Sequence, residues 1–193
     1  MENEVRINLL ARVARSVGAP GAPLDPARPV SILSLAAASY GSRPSEDATV
    51  PTGFDPVAVA LFEAIVEGAF LVANADGVFD EDERRVFEHV VTTACGGSVD
   101  APQISDLVGD LRDQLEEDGL DRRVEMLARG VTKAEHAQEV LRIAALLAQA
   151  NAEVSGVERD VLGKIAKSCG LGPNAVDVAL REVREALAAA GPA

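Results

Sequence analysis

The sequence predicts an all-α protein, a helical bundle built from two similar helix-joint-helix halves related by a pseudo-twofold axis. Three observations carry this expectation. No stretch alternates polar and apolar residues with period two over a useful length, so strands leave no signal. From Asp55 onward, nearly every helix-length segment opens on a recognisable cap. Residues 65–94 also lie over 140–169 without a gap, with identities at Ala69/Ala144, Leu71/Leu146, Ala73/Ala148, Ala75/Ala150, Glu83/Glu158, Arg84/Arg159 and Val86/Val161.

Residues 4–17 set Val5, Leu9 and Val13 on one side and Arg6, Arg12 and Arg15 elsewhere, the pattern of a short amphipathic helix. The breaker-rich stretch GAPGAPLDPARP follows, then a weaker helix around Ser31 to Ser39, then the loop GSRPSEDATVPTG. Residues 1–54 therefore read as an N-terminal arm with two helical pieces. Its basic face is expected to pack on the acidic body, although an acidic surface or lipid would also suit it.

The body spans 55–190, with helices expected near 56–75, 80–94, 101–117, 120–130, 133–150, 156–168 and 174–190. Asp55-Pro56 places an N-cap before a proline at the first helical position. Asp80 with Glu83, Asp100 with Gln103, Thr132 with Glu135 and Ser155 with Glu158 all have capping-box spacing. The short side chain accepts from the N3 amide while Glu or Gln reaches back to the N-cap amide. Residues 56–75 and 133–150 are apolar almost all round in their second halves, which puts them at the bundle centre. Polar positions match across the repeat too: Glu63 over Gln138, Glu67 over Arg142, and Asn74 over Gln149.

Composition narrows the function. The 193 residues suffice for one domain with a real core. Five Phe, one Tyr and no Trp leave Ala, Leu and Val to carry the hydrophobic content, which favours close-packed helices. A net charge of -13 repels phosphate backbones, so nucleic acid is not an expected partner; the charge suits cations, basic partners or plain solubility, with solubility the default. Cys95 and Cys169 lie far apart and form no CxxC, pointing to a reducing compartment. The N-terminal residues lack the basic start and unbroken apolar run of a signal peptide. Val57 to Ala75 carries Glu63, Glu67 and Asn74 and reads as a core helix rather than a membrane span. Cytoplasmic localisation is the expectation.

The stretch NADGVFDEDER, residues 74–84, raises the question of chemistry. Placed in a calcium-loop frame with Gly77 sixth, it offers Asn74 third, Asp76 fifth, Asp80 ninth and Glu83 twelfth. The first position is Val72, which has no side-chain oxygen. The second copy reads Leu147, Gln149, Asn151, Ala152, Ser155 and Glu158 in the same frame. An EF-hand is therefore excluded. A capped joint accounts for the rest: Gly77 takes the left-handed turn, Val78 or Phe79 plugs the joint, and Asp80 with Glu83 caps the next helix. Asp76 is left without a specific task.

LVANADGVFDEDERRVF, followed by LLAQANAEVSGVERDVL and AKSCGLGP, resembles the TerB (tellurite-resistance TerB-like) family over about residues 56–190. The family's signature is an alanine-rich helix running into Ala-Asp-Gly-x-apolar-[Ser/Asp]-x-x-Glu, used twice. The resemblance implies a helical bundle of two similar halves whose acidic joints meet near the pseudo-twofold, where metal binding has been proposed. It also implies links to tellurite and other bacterial stress responses, membrane-linked or multi-protein settings, and fusion to J-domain proteins; no catalytic activity is established for the family. Carried over, the metal candidates are Asp76, Glu83, Asn151 and Glu158, with Glu153 as a possible substitute. The second copy departs from the motif, with Asn151 in place of the aspartate and Ala152 in place of the glycine. A weakly held divalent cation and no cofactor at all both fit that donor set.

Other chemistry finds little support. His89 and His136 lack HExxH spacing, no GxSxG or phosphate-cradling loop is present, and Glu116-Glu117-Asp118 reads as a solvated helix end. The expectation is a non-enzymatic interaction or assembly module with protein partners, a second copy of the chain among them, and with peripheral membrane contact left open. The alternative is a divalent-metal-binding stress-response protein.

Overall fold

The two most apolar segments of the chain pair at its centre. The computed structural model describes residues 2–15, 31–42, 55–149 and 154–191, and the regular structure among them is all helical. In chain order the helices are α1 (Glu2–Arg15), α2 (Ile32–Gly41), α3 (Pro56–Ala73), α4 (Glu81–Ala94), α5 (Ala101–Asp118), α6 (Leu120–Gly130), α7 (Ala134–Ala148), α8 (Gly156–Ser168) and α9 (Ala175–Ala190). α3 and α7 pack against each other more extensively than any other pair. Phe62, Ile65, Phe70 and Val72 of α3 and Val140, Ala144, Ala145 and Leu146 of α7 are completely buried. Gly68 makes the close approach possible, because a Cβ there would stand 2.8 Å from Cγ1 of Val140. By length and hydropathy α3 could cross a membrane, but 67% of it lies inside the protein. Other helices supply its apolar surroundings.

α2, α5, α6 and α8 cover α3, while α1, α8 and α9 cover α7. α2 lays Leu33, Ala36, Ala37 and Tyr40 on the core, with the Tyr40 and Phe62 rings 4.7 Å apart. Ser31 caps it by accepting from the Ser34 amide at 3.1 Å. Where α2 ends, the carbonyl oxygen of Ser98 would lie 1.7 Å from any Cβ on Gly41, so only glycine fits. α4 is fastened to α5 by Arg84, which donates to Glu88 at 2.7 Å and to Ser105 Oγ at 2.9 Å.

The docking of the N-terminal helix, open from sequence, is settled. α1 lies between α4 and α9 with Ile7, Leu10, Ala11, Val13 and Ala14 buried. Its last carbonyls, which lack partners within the helix, receive Arg142: Nη1 donates to Val13 O at 3.1 Å and Nη2 to Ala14 O at 2.8 Å. Arg12 donates to Ala190 O at the end of α9.

The expected cap at Thr132 does not form. α7 starts one residue later, with Lys133 as N-cap and no side-chain capping bond. Val131 is buried after closing α6, and the extended backbone of Lys133 then gives the first helical acceptor, Lys133 O to Ala137 N at 3.0 Å. Glu135 consequently falls in the first turn, where its charge meets the helix dipole rather than the N-cap amide.

Candidate functional site

The first joint runs from the end of α3 to the start of α4. Asn74 closes α3, its amide donating to Phe70 O at 2.9 Å. Gly77 then takes φ +79°, the left-handed region that favours glycine, and donates to Asn74 O at 3.0 Å. Asp76 has the task that sequence did not assign it: Oδ1 accepts from the Val78 amide at 3.0 Å, an Asx turn that shapes the joint. Phe79, not Val78, is the plug. Its ring meets Phe70 edge-on at 5.4 Å and Phe87 at 5.8 Å, while Val78 is 60% exposed.

Both expected capping boxes at the joints form. Asp80 Oδ1 accepts from the amides of Asp82 and Glu83 at 2.9 Å, and Glu83 Oε2 accepts from the Asp80 amide at 3.1 Å. Ser155 Oγ accepts from Glu158 N at 3.2 Å, and Glu158 Oε2 from Ser155 N at 2.7 Å. Asn151 and Glu153 lie outside the described residues.

The fold brings Glu83 and Glu158 to the wall of one cavity of about 230 Å³, between α1, α4 and the end of α7. Asp82 and the guanidinium-bearing Arg6 line it too; Asp76 does not. Arg6 donates to Gln149 O at 3.0 Å, closing the C-terminal end of α7. Ca²⁺ takes about six to eight oxygens, and Mg²⁺ demands a near-ideal octahedron. The described donors at this wall are three carboxylates beside a cation, and among the described residues no group of three or more His, Cys, Asp or Glu is arranged to hold a metal ion. Taken alone, these donors do not fit a resident divalent cation.

Residues 62–181, from the second turn of α3 to the middle of α9, match the family model for Tellurite resistance protein TerB. The chain belongs to the TerB family. No curated protein and no solved structure is matched. The TerB match leaves α1 and α2 outside it, although α1 supplies Arg6, Ile7 and Leu10 to the cavity between the joints.

A second polar centre of this TerB chain escaped sequence reading. Arg123 of α6 donates to Glu67 Oε1 of α3 through Nε at 2.8 Å, its Nη2 makes an ion-pair contact with the same oxygen at 2.7 Å, and Nη1 donates to Asp118 at 3.2 Å. Arg123 and Glu67 are both over nine-tenths buried, while Asp118 stays exposed. Burial pushes the Glu67 carboxyl above its ordinary range, against the lowering effect of Arg123. The pair forms one side of an open polar cavity of about 360 Å³, which also receives Glu63, Asp106 and Asp110. The signal available in sequence was an acid in the middle of an otherwise apolar run. Among the described residues no histidine or cysteine joins a metal-holding group; His89 is exposed, and burial pushes the Cys95 thiol up to about 12, leaving it inert at neutral pH.

Proposed function

We propose that this TerB-family chain is a non-enzymatic assembly module of a bacterial stress- or envelope-related complex, working in the cytoplasm. The observation that carries this reading is the cavity between the joints, open at the surface and lined mostly by apolar side chains. Val5, Val78 and Val157 are about half or more exposed, and each is next in sequence to a residue of the cavity wall, Arg6, Phe79 or Glu158. An apolar opening with exposed valines next in sequence to its wall supports a surface that is covered in use. A photo-crosslinking amino acid placed at position 78 in cells that carry the protein tests the idea. A discrete adduct that Val157→Asp abolishes is expected. A chain that yields no adduct and elutes as a free monomer from native extract refutes it.

The second reading, a divalent-cation site built on a duplicated joint, rests on Glu83 and Glu158 sharing one wall. The duplication is itself a proposal. It is supported by the gapless 75-residue offset and by the matching joint geometry: α3 and α7 end at Ala73 and Ala148, and extended N-caps stand at Asp80 and Ser155. Thermal unfolding of chelator-treated protein with calcium, magnesium, manganese and zinc separates the two readings. A saturable rise in Tm that Glu158→Gln removes would favour the cation.

A further inference from the structure

The walls of the cavity at the joints are sorted by chemistry. Ile7, Leu10, Phe79, Phe87, Val90 and Leu147 make an apolar lining. Among the described residues, the carboxylates of Asp82, Glu83 and Glu158 also line it, three negative charges against the positive charge of Arg6. Arg6 is occupied by Gln149 O, and the capping bonds of Glu83 and Glu158 use only Oε2 of each. Their Oε1 atoms are left for whatever enters the groove.

Small-molecule sites run to about 300–1,000 Å³, whereas this cavity is about 230 Å³. That is room for one or two large apolar side chains, the scale of an anchor pocket at a protein interface. The chain also displays what this side of α4 accepts. α1 is a helix bearing Arg6, Arg12 and Arg15, and it seats its apolar face against α4.

Resting on the assembly reading, we infer that this cavity docks a basic amphipathic segment of a partner protein, with one or two apolar side chains in the cavity and Lys or Arg facing Glu83 and Glu158. The net charge of -13 draws such a segment in from a distance.

The test uses the full chain and fluorescent helical peptides of leucine and lysine in an i, i+3, i+4, i+7 pattern, with Leu/Glu and Ala/Lys counterparts. Anisotropy is read at about 0.15 M ionic strength, where the screening length is about 8 Å. The Leu/Lys peptide binds one to one, and both counterparts bind at least about tenfold more weakly, a difference of about 1.4 kcal/mol. Glu83→Gln with Glu158→Gln removes two charges yet keeps both capping boxes, since Gln serves at that position. This double variant keeps the wild-type Tm and weakens the Leu/Lys peptide about tenfold or more. The pair Glu116→Gln with Glu117→Gln makes the same charge change at the far end of α5 and leaves binding unaltered.

Equal weakening by the two double variants would mean attraction by net charge alone and would overturn the proposal. So would equal binding of the Ala/Lys peptide, or self-association of the chain that Val78→Asp abolishes, which assigns the groove to a second copy. An adduct at position 78 with an acidic or polar partner segment refutes this chemistry and leaves the assembly reading standing. Absence of any adduct beside selective Leu/Lys binding refutes the assembly reading instead.

Discussion

Arg123→Met tests the buried centre of the bundle. The substitution keeps an unbranched side chain of similar reach and deletes the guanidinium that gives Glu67 both of its short contacts, 2.8 and 2.7 Å. Breaking a buried ion pair by removing one partner costs about 3–5 kcal/mol. Glu67 adjoins an open polar cavity, so water can reach the abandoned carboxylate, and the lower end applies. At about 2–4 °C per kcal/mol for a chain of this length, Tm falls by about 6–12 °C. The pH dependence follows from the direction of the Glu67 shift. Its folded-state pKa lies above the ordinary 4.5, so the folded protein binds this proton more tightly than the unfolded chain. The associated stability is fully present below 4.5, declines as pH rises toward the folded value, and is lost above it. Without Arg123 the two effects that lower the carboxyl are gone, and the folded value climbs further. The gap between wild type and variant is therefore smallest near pH 4.5 and widens toward neutrality. Urea unfolding at acidic and neutral pH reads it directly. Glu67→Met combined with Arg123→Met recovers most of the loss, because no charge is then left buried. A neutral-pH Tm unchanged by Arg123→Met, or a double variant as weak as the single one, refutes the reasoning.

Three further outcomes are expected. Gly68→Ala gains about 1 kcal/mol of helix propensity but drives a methyl against the stiff Val140, 2.8 Å away. Overpacking at about 1–3 kcal/mol outweighs that gain, so Tm falls, and Val140→Ala in the same chain restores it. Glu83→Ala costs about 0.5–2 kcal/mol in metal-free protein through loss of the capping box, whereas Glu83→Gln is neutral; equal stability of the two in urea would show the capping account to be wrong. Arg142→Ala removes the two donors that close the C-terminal end of α1 and strips Glu139, 8% exposed, of its partner. Each of these charge-assisted bonds contributes about 1.5–3 kcal/mol, so amide exchange in α1 speeds up by at least about 10-fold. Exchange in α1 that stays at the wild-type rate would mean its buried apolar face alone holds it down.

The features legible in the sequence are the ones written over three or four residues. The boxes at Asp80, Asp100 and Ser155 form as their spacing predicts, because both partners of each bond lie within one helical turn. Thr132 has the same spacing and fails, since the burial of Val131 decides where α7 begins and nothing local records that burial. The choice between Val78 and Phe79 as plug was likewise not local; it depends on Phe70 and Phe87 meeting across two helices. Glu67 and Arg123 lie 56 residues apart, so only the fold introduces them.

The polar positions that match at the 75-residue offset have different partners on α3 and α7. Glu67 on α3 ties to α6, while Arg142, its counterpart on α7, ties to α1. Gln149, the counterpart of Asn74, donates through Nε2 to Leu180 O of α9 at 3.0 Å. Matched positions on the two central helices thus fasten different outer elements. On the α7 side that element is α1, which the family match does not cover. It places Arg6 on the same cavity wall as Glu83 and Glu158. The proposed basic segment would therefore lie beside a guanidinium of this chain's own α1, from outside the residues that match the family, as well as the carboxylates of Glu83 and Glu158.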